Sequence, residues 1–184
     1  MISQRAQDGF DHTVMSALRG GLAASPDAPC DVAVISDPQA ITEQKMVVLT
    51  VSSYLFRAMV LIYFTLNKAT REHFAAIHKA SADTMSDAEF LDVIGECGNI
   101  CCGALNRELA QHFPHVGMST PNILDRHCVN YLPDLDASYI RHFRVQVHKG
   151  FAMHASLCVC DYADLDFAVD TTQAEESNGE LEMF

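Results

Sequence analysis

From Met46 to Leu66 the chain is almost wholly apolar, and few folds accept such a run. A stretch of this length is long enough to cross a bilayer. Ser52, Ser53 and Tyr54 break it in the middle, however, and Arg57 lies in its second half. The halves, KMVVLTVS and FRAMVLIYFTL, are rich in β-branched and aromatic side chains, which suit a pleated, half-buried surface. Two strands joined by a turn describe it better than one spanning helix.

Such a strand pair must be covered, and 184 residues suit one domain with a core of its own. Hydrophobic residues make up 49% and charged ones 20%, ordinary values for a soluble globular protein. The net charge of -12 is the wrong sign for a nucleic-acid binder or a basic membrane-surface module. No basic stretch precedes an apolar one at the N-terminus, so a secretory signal is not expected. The seven cysteines, with Cys101 and Cys102 adjacent, form no even, spaced framework. They read as reduced thiols in a cytoplasmic protein.

Around the strand pair the periodicity is simple. Phe10, Val14, Leu18 and Leu22 predict a helix over 5–22. Pro26, Pro29 and Pro38 then punctuate an irregular stretch. A short helix is expected over 69–80, with Phe74 and Ile77 buried. Ser86 and Glu89 form a capping-box pattern that opens a longer helix, and Pro114 disfavours helix at Phe113, so its end falls near His112. After GMSTPNIL the chain returns to strands. FRVQV and FAMHASLCV both alternate, with Phe143, Val145 and Val147 on one face and Met153, Ala155 and Leu157 in phase.

A two-residue Lys149–Gly150 turn would pair His148 with Phe151 and put these apolar sets on opposite faces. A three-residue loop over 149–151 pairs Val147 with Met153 and keeps the sets together, which is the expected register. It places His142 opposite Cys158, with His154 and Cys160 nearby. No CxxC or HExxH spacing accompanies the nine histidines and seven cysteines, so no metal or redox site is expected. The residues from Asp170 to the end are polar and acidic and read as a disordered tail. That leaves 1–170 as the domain and 171–184 as the tail.

The long helix reads DVIGECGNICCGALN over 92–106. On a wheel, Leu91, Ile94, Gly98, Cys101, Cys102, Leu105 and Leu109 form an apolar stripe. Asp92, Glu96, Asn99, Gly103 and Asn106 gather on the opposite side. Gly98 would let a sheet approach closely, and Gly103 would let another backbone approach. Each glycine costs the helix roughly 1 kcal/mol against alanine, so something should offset it. Polar helix faces are ordinarily just solvated. Asn is nevertheless a poor helix-interior residue, and its amide presents a donor and an acceptor together, which suits orienting a water. Glu96, one turn earlier, suits pairing with a lysine of a partner.

The order Asp92-x3-Glu96-x2-Asn99, followed by Pro121 in MSTPNIL, resembles the signature of the CheC/CheX/FliY family of chemotaxis phosphatases. IGECGNICCGALNREL looks like that family's glutamate–glycine–asparagine helix, STP like its following loop, and the order of elements agrees over about 45–160. The resemblance implies a two-layer α/β (α+β) fold, an antiparallel-rich sheet packed on a long motif-bearing helix and shorter helices. It implies hydrolysis of the aspartyl phosphate of a response-regulator receiver domain such as phospho-CheY. By similarity, Glu96 would pair with the receiver's active-site lysine and Asn99 would hold a water in line with the phosphorus. Asp92, Gly103 and Asn106 would lie on the partner-binding face, and Pro121 would shape the loop behind the helix. Mg²⁺ would be supplied in the receiver's site, with no metal bound by this chain itself. The N-terminal helix has Asp11 but no glutamate and asparagine in register, which points to a one-site, CheX-like member and so to a homodimer. A non-catalytic module that docks on a receiver or a flagellar-switch component is the alternative.

Overall fold

The computed structural model describes residues 1–25, 27–148 and 151–170. Its elements are α1 (Gln4–Leu22), β1 (Asp31–Ile35), β2 (Lys45–Ser52), β3 (Phe56–Phe64), α2 (Lys68–Ile77), α3 (Asp87–Leu109), β4 (Gly117–Met118), β5 (Asn122–Asp125), β6 (Tyr139–His148) and β7 (Phe151–Asp161). Short 3-10 segments occupy Pro38–Ala40 and Arg126–Leu135. The apolar run is indeed two antiparallel strands, β2 and β3. Among the described residues no helix is long and apolar enough to cross a membrane.

All seven strands join one antiparallel sheet in the order β1-β6-β7-β3-β2, with β4 and β5 sharing the outer edge of β2. The helices lie on one face of it. Phe10, Val14, Leu18 and Leu22 of α1 are buried there, together with Val47, Leu49, Val60 and Ile62 of the central strands. Alternation along each strand sends the other side chains to the opposite face. There Met46, Val48, Leu61, Tyr63 and Cys158 form a second, smaller cluster under Ile41 and Leu132.

Four features differ from the sequence reading. First, residues 31–35, in the proline-punctuated stretch, form the edge strand β1 against β6. Only Val32 of it is buried, so the alternation that marks a strand is absent. Second, α2 stops at Ile77 because Lys79 takes a left-handed φ of 53°. The amides of Ala80 and Lys79 then bond back to the carbonyls of Ala75 (2.9 Å) and Ala76 (3.3 Å), the pattern of a Schellman cap. Third, α3 ends at Leu109. Beyond it Gln111 and His112 bond back only three residues, to Glu108 and Leu109, and the last turn tightens.

The fourth is the β6–β7 register. His148 pairs with Phe151, while Gln146 pairs with Ala152 and Val145 with Met153. Val147 is therefore an extra, bulged residue. The bulge returns the two apolar sets to one face, the work assigned above to a three-residue loop, but with every pair displaced by two. His142 faces Ser156, not Cys158, and His154 faces Arg144. The Lys149–Gly150 turn and the tail from 171 lie outside the described residues.

Candidate functional site

The face in question belongs to α3, the longest helix. Its start is defined by the capping box: the Ser86 hydroxyl accepts from the Glu89 amide at 3.3 Å, and the Glu89 carboxylate accepts from the Ser86 amide at 2.8 Å. The Ser86 amide, and the Ser86 hydroxyl donating at 2.7 Å, hold the Glu89 carboxyl below its ordinary pKa. Arg71 of α2 braces the same end, donating to the Met85 carbonyl at 3.0 Å, pairing with Asp87 and lying 5.0 Å over the Phe90 ring.

The buried side of α3 is Phe90, Ile94, Cys97, Gly98, Cys101, Cys102, Leu105 and Leu109. Leu91 is only half-buried, and Phe90 and Cys97 take places that the wheel left unassigned. The reason is that α3 is covered from several directions at once. Phe90 meets Phe64 of the sheet and Phe74 of α2, while α1 packs along the Cys97–Cys101 side. A helix with several neighbours buries a wider arc than a single stripe.

Gly98 is where the helix closes on the sheet. A Cβ there would lie 2.9 Å from Cγ1 of Val47, 3.1 Å from Cδ2 of Leu49 and 3.4 Å from Cβ of Pro121. The missing side chain thus admits β2 and the STP loop together, which offsets the glycine's cost to the helix. The loop is tied down beside it. The Ser119 amide donates to the Thr50 carbonyl at 2.9 Å, and its hydroxyl accepts from the Thr50 amide at 3.2 Å. The Cys102 thiol reaches the carbonyls of Thr50 and Ser119 at 3.8 and 3.9 Å. The side chains involved bond to backbone, so nothing in the residue pattern could have announced this tether.

Directly after Gly98 comes Asn99, half-buried, with Glu96 and Asp92 exposed on the preceding turns. Asn99 Nδ2 donates to Oε2 of Glu96 at 3.2 Å. The helical spacing therefore brings Glu96 and Asn99 into contact beside a fixed loop. Among the described residues no cation pairs with Asp92 or Glu96, although Asp87 has Arg71. Gly103 and Asn106 are half-buried. Only the Arg107 guanidinium, at 3.6 Å, lies near the place of a Cβ on Gly103, whereas Oδ1 of Asn106 is enclosed without a hydrogen-bond partner. On the Asp92 side a groove of about 360 Å³ opens, lined by Met85, Glu89, Asp92 and Val93 among others. Ile100 stands 44% exposed beside the two motif residues.

Asp11, the acid of α1, has a different fate. It accepts from the Tyr139 hydroxyl at 2.8 Å and from Arg141 Nε at 3.0 Å, which joins α1 to β6. Among the described residues, no group of three or more His, Cys, Asp or Glu side chains is arranged to hold a metal.

No family model and no curated protein matches the chain. Solved structures do. A chain of the CheX–CheY–BeF3–Mg²⁺ complex from Borrelia burgdorferi superposes with a TM-score of 0.59 at 13% identity, over 84% of this chain and 97% of that one. Chemotaxis protein CheX from Vibrio vulnificus gives 0.58 at 14%, over 83% and 97%. A CheC-like superfamily protein from Shewanella sp. PV-4 gives 0.57 at 12%, over 83% and 96%. Nearly the whole of each of these chains is matched, and the protein has the CheC-like fold.

Proposed function

We propose that this protein hydrolyses the aspartyl phosphate of a response-regulator receiver domain of the CheY type. The observation that carries the reading is the pairing of exposed Glu96 with half-buried Asn99 on one helix face, beside the Pro121 loop. The fold supports it, because one of its structural neighbours is a chain from a CheX–CheY complex with BeF3 and Mg²⁺. In this reading Glu96 meets the receiver's lysine and fixes the orientation of the two proteins. Asn99 enters the receiver's site and holds a water in line with the phosphorus. The water's oxygen bonds to phosphorus as the bond to the aspartate oxygen breaks, giving inorganic phosphate and a free carboxylate.

An acyl phosphate is already reactive, and Mg²⁺ in the receiver's site neutralises its charge, so positioning a nucleophile is the missing contribution. This chain supplies that and no metal ligand. Asp92, Gly103 and the edge of the Asn106 turn extend the contact along α3. A homodimer is part of the reading and is checked by sedimentation.

The test is the lifetime of a phosphorylated CheY-type receiver from the same genome, with and without the protein. The wild-type chain shortens it, and Asn99→Ala slows turnover by roughly 10² with binding nearly unchanged. Binding with an unchanged phosphate lifetime would instead identify a docking module.

A further inference from the structure

Glu96 and Asn99 do not merely share a face; one constrains the other. Nδ2 of Asn99 donates to Oε2 of Glu96 at 3.2 Å, one helical turn away. An ionised carboxylate only accepts hydrogen bonds. The amide therefore cannot turn over without setting its oxygen against another oxygen, and Oδ1 is held away from Glu96. The carboxylate keeps a second oxygen, Oε1, available for a cation.

We infer that Glu96 is a positioning residue for Asn99: it fixes the side-chain amide so that Oδ1 is the atom offered to a bound water. The role of the water rests on the phosphatase reading, while the amide's orientation rests on the hydrogen bond alone. The direction matters chemically. A water that gives a hydrogen to Oδ1 keeps a lone pair for phosphorus, which is the orientation that attack requires. An amide turned the other way would offer N–H, which ties up one of the water's two lone pairs and leaves its hydrogens without an acceptor on Asn99. The partner's lysine on Oε1 would leave Oε2 on the amide, so docking and water alignment would run through one carboxylate. At 3.2 Å the bond is longer than the strongest charge-assisted ones, and losing it, which frees the side-chain rotamer as well as the amide's facing, costs on the order of tenfold in turnover.

Two substitutions separate this role from charge pairing. Glu96→Gln keeps a hydrogen-bond partner that orders the amide but loses the charge and, with a donor beside its acceptor, part of the control over which way the amide faces; Glu96→Ala loses all three. Two measurements read the difference. One is nitrogen-15 relaxation of the Asn99 side-chain amide in the free protein. The other is steady-state turnover of a CheY-type receiver charged with acetyl phosphate.

The amide stays ordered in wild type and Glu96→Gln and becomes mobile in Glu96→Ala. Both variants raise KM. At saturating receiver, Glu96→Ala lowers kcat by about tenfold while Glu96→Gln stays within about threefold of wild type. Equal kcat in the two variants, or an equally ordered amide in Glu96→Ala, overturns the inference. Absence of turnover in the wild-type protein overturns the phosphatase reading instead, and the amide measurement then decides the Glu96–Asn99 coupling by itself.

Discussion

A methyl group on Gly21 would overlap the sulfur of Cys101, with the Cys101 amide nitrogen and the Cys97 carbonyl oxygen each 3.3 Å away. Helices α1 and α3 thus cross at a point where one contributes no side chain and the other a buried thiol. The cysteine fills space left by the glycine.

Gly21→Ala therefore overpacks this crossing. The strain outweighs the alanine's gain in helix propensity, for a net loss of about 2 kcal/mol. Cys101→Ala removes the overlapped atom, so the double variant loses less than the sum of the single ones, with a coupling of about 1–2 kcal/mol. Urea unfolding of all four proteins measures it. Additive losses would mean that the helices do not meet there.

The thiols give a second prediction. Five of the seven cysteines are buried, while Cys30 and Cys128 are partly exposed. Burial, with the Glu96 charge adding to it, pushes the Cys97 thiol up to about 12. Burial likewise raises Cys101, Cys102 and Cys158. A thiol that is both enclosed and protonated does not react. Burial raises the half-enclosed Cys30 thiol as well, so brief alkylation of the native protein at neutral pH followed by mass spectrometry should label Cys128 first, Cys30 more slowly, and spare the five. Early labelling of Cys97 or Cys101 would show that α3 separates from its neighbours.

On the far face of the sheet, His154 Nδ1 and Oε1 of Glu43 lie 2.8 Å apart, with side chains 14% and 12% exposed. Burial pushes the Glu43 carboxyl up, but bonds from His154 and from the Glu43 and Thr42 backbone outweigh it and hold the pKa below 4.5. A carboxyl depressed in the folded state stabilises it above the unfolded value. That contribution is lost as pH falls through the folded one. Wild type should be more stable than Glu43→Gln at pH 7, and the gap should close below 4.5. Urea midpoints across that range test it, and a gap independent of pH would refute the pairing.

What the residues reveal on their own depends on how local the cause is. Ser86 and Glu89 announce the start of α3 because both partners of the capping box lie in one turn. The contact between Glu96 and Asn99 follows from helical spacing in the same way. By contrast, β1 owes its existence to β6, more than a hundred residues away, and only Val32 in it is buried. The bulge at Val147 is equally silent, since a valine in a strand looks the same paired or bulged. The tether of Cys102 and Ser119 to Thr50 runs through backbone groups that every residue has. The contact between Glu96 and Asn99 was therefore legible, and the tether that holds the Pro121 loop beside it was not.

The charges of α3 make the final prediction, which concerns binding alone. Asp92 and Glu96 are exposed, and among the described residues neither has a cationic partner. If Glu96 meets a lysine of the receiver, three substitutions should rank in a fixed order. Glu96→Ala deletes one charge of a rim pair and should weaken binding by several-fold to about tenfold. Glu96→Lys sets like charges against each other and should cost more than the alanine. Asp92→Ala, a turn further from Asn99, should cost less than either. Salt supplies an independent check, because exposed pairs are screened over about 8 Å at physiological ionic strength. Affinity of the wild-type protein for a BeF3-loaded CheY-type receiver should fall as salt rises, and the slope should flatten in Glu96→Ala. Titration calorimetry at two salt concentrations gives both quantities. Were Glu96→Lys to bind as tightly as wild type, Glu96 would face no lysine, and the receiver would dock elsewhere.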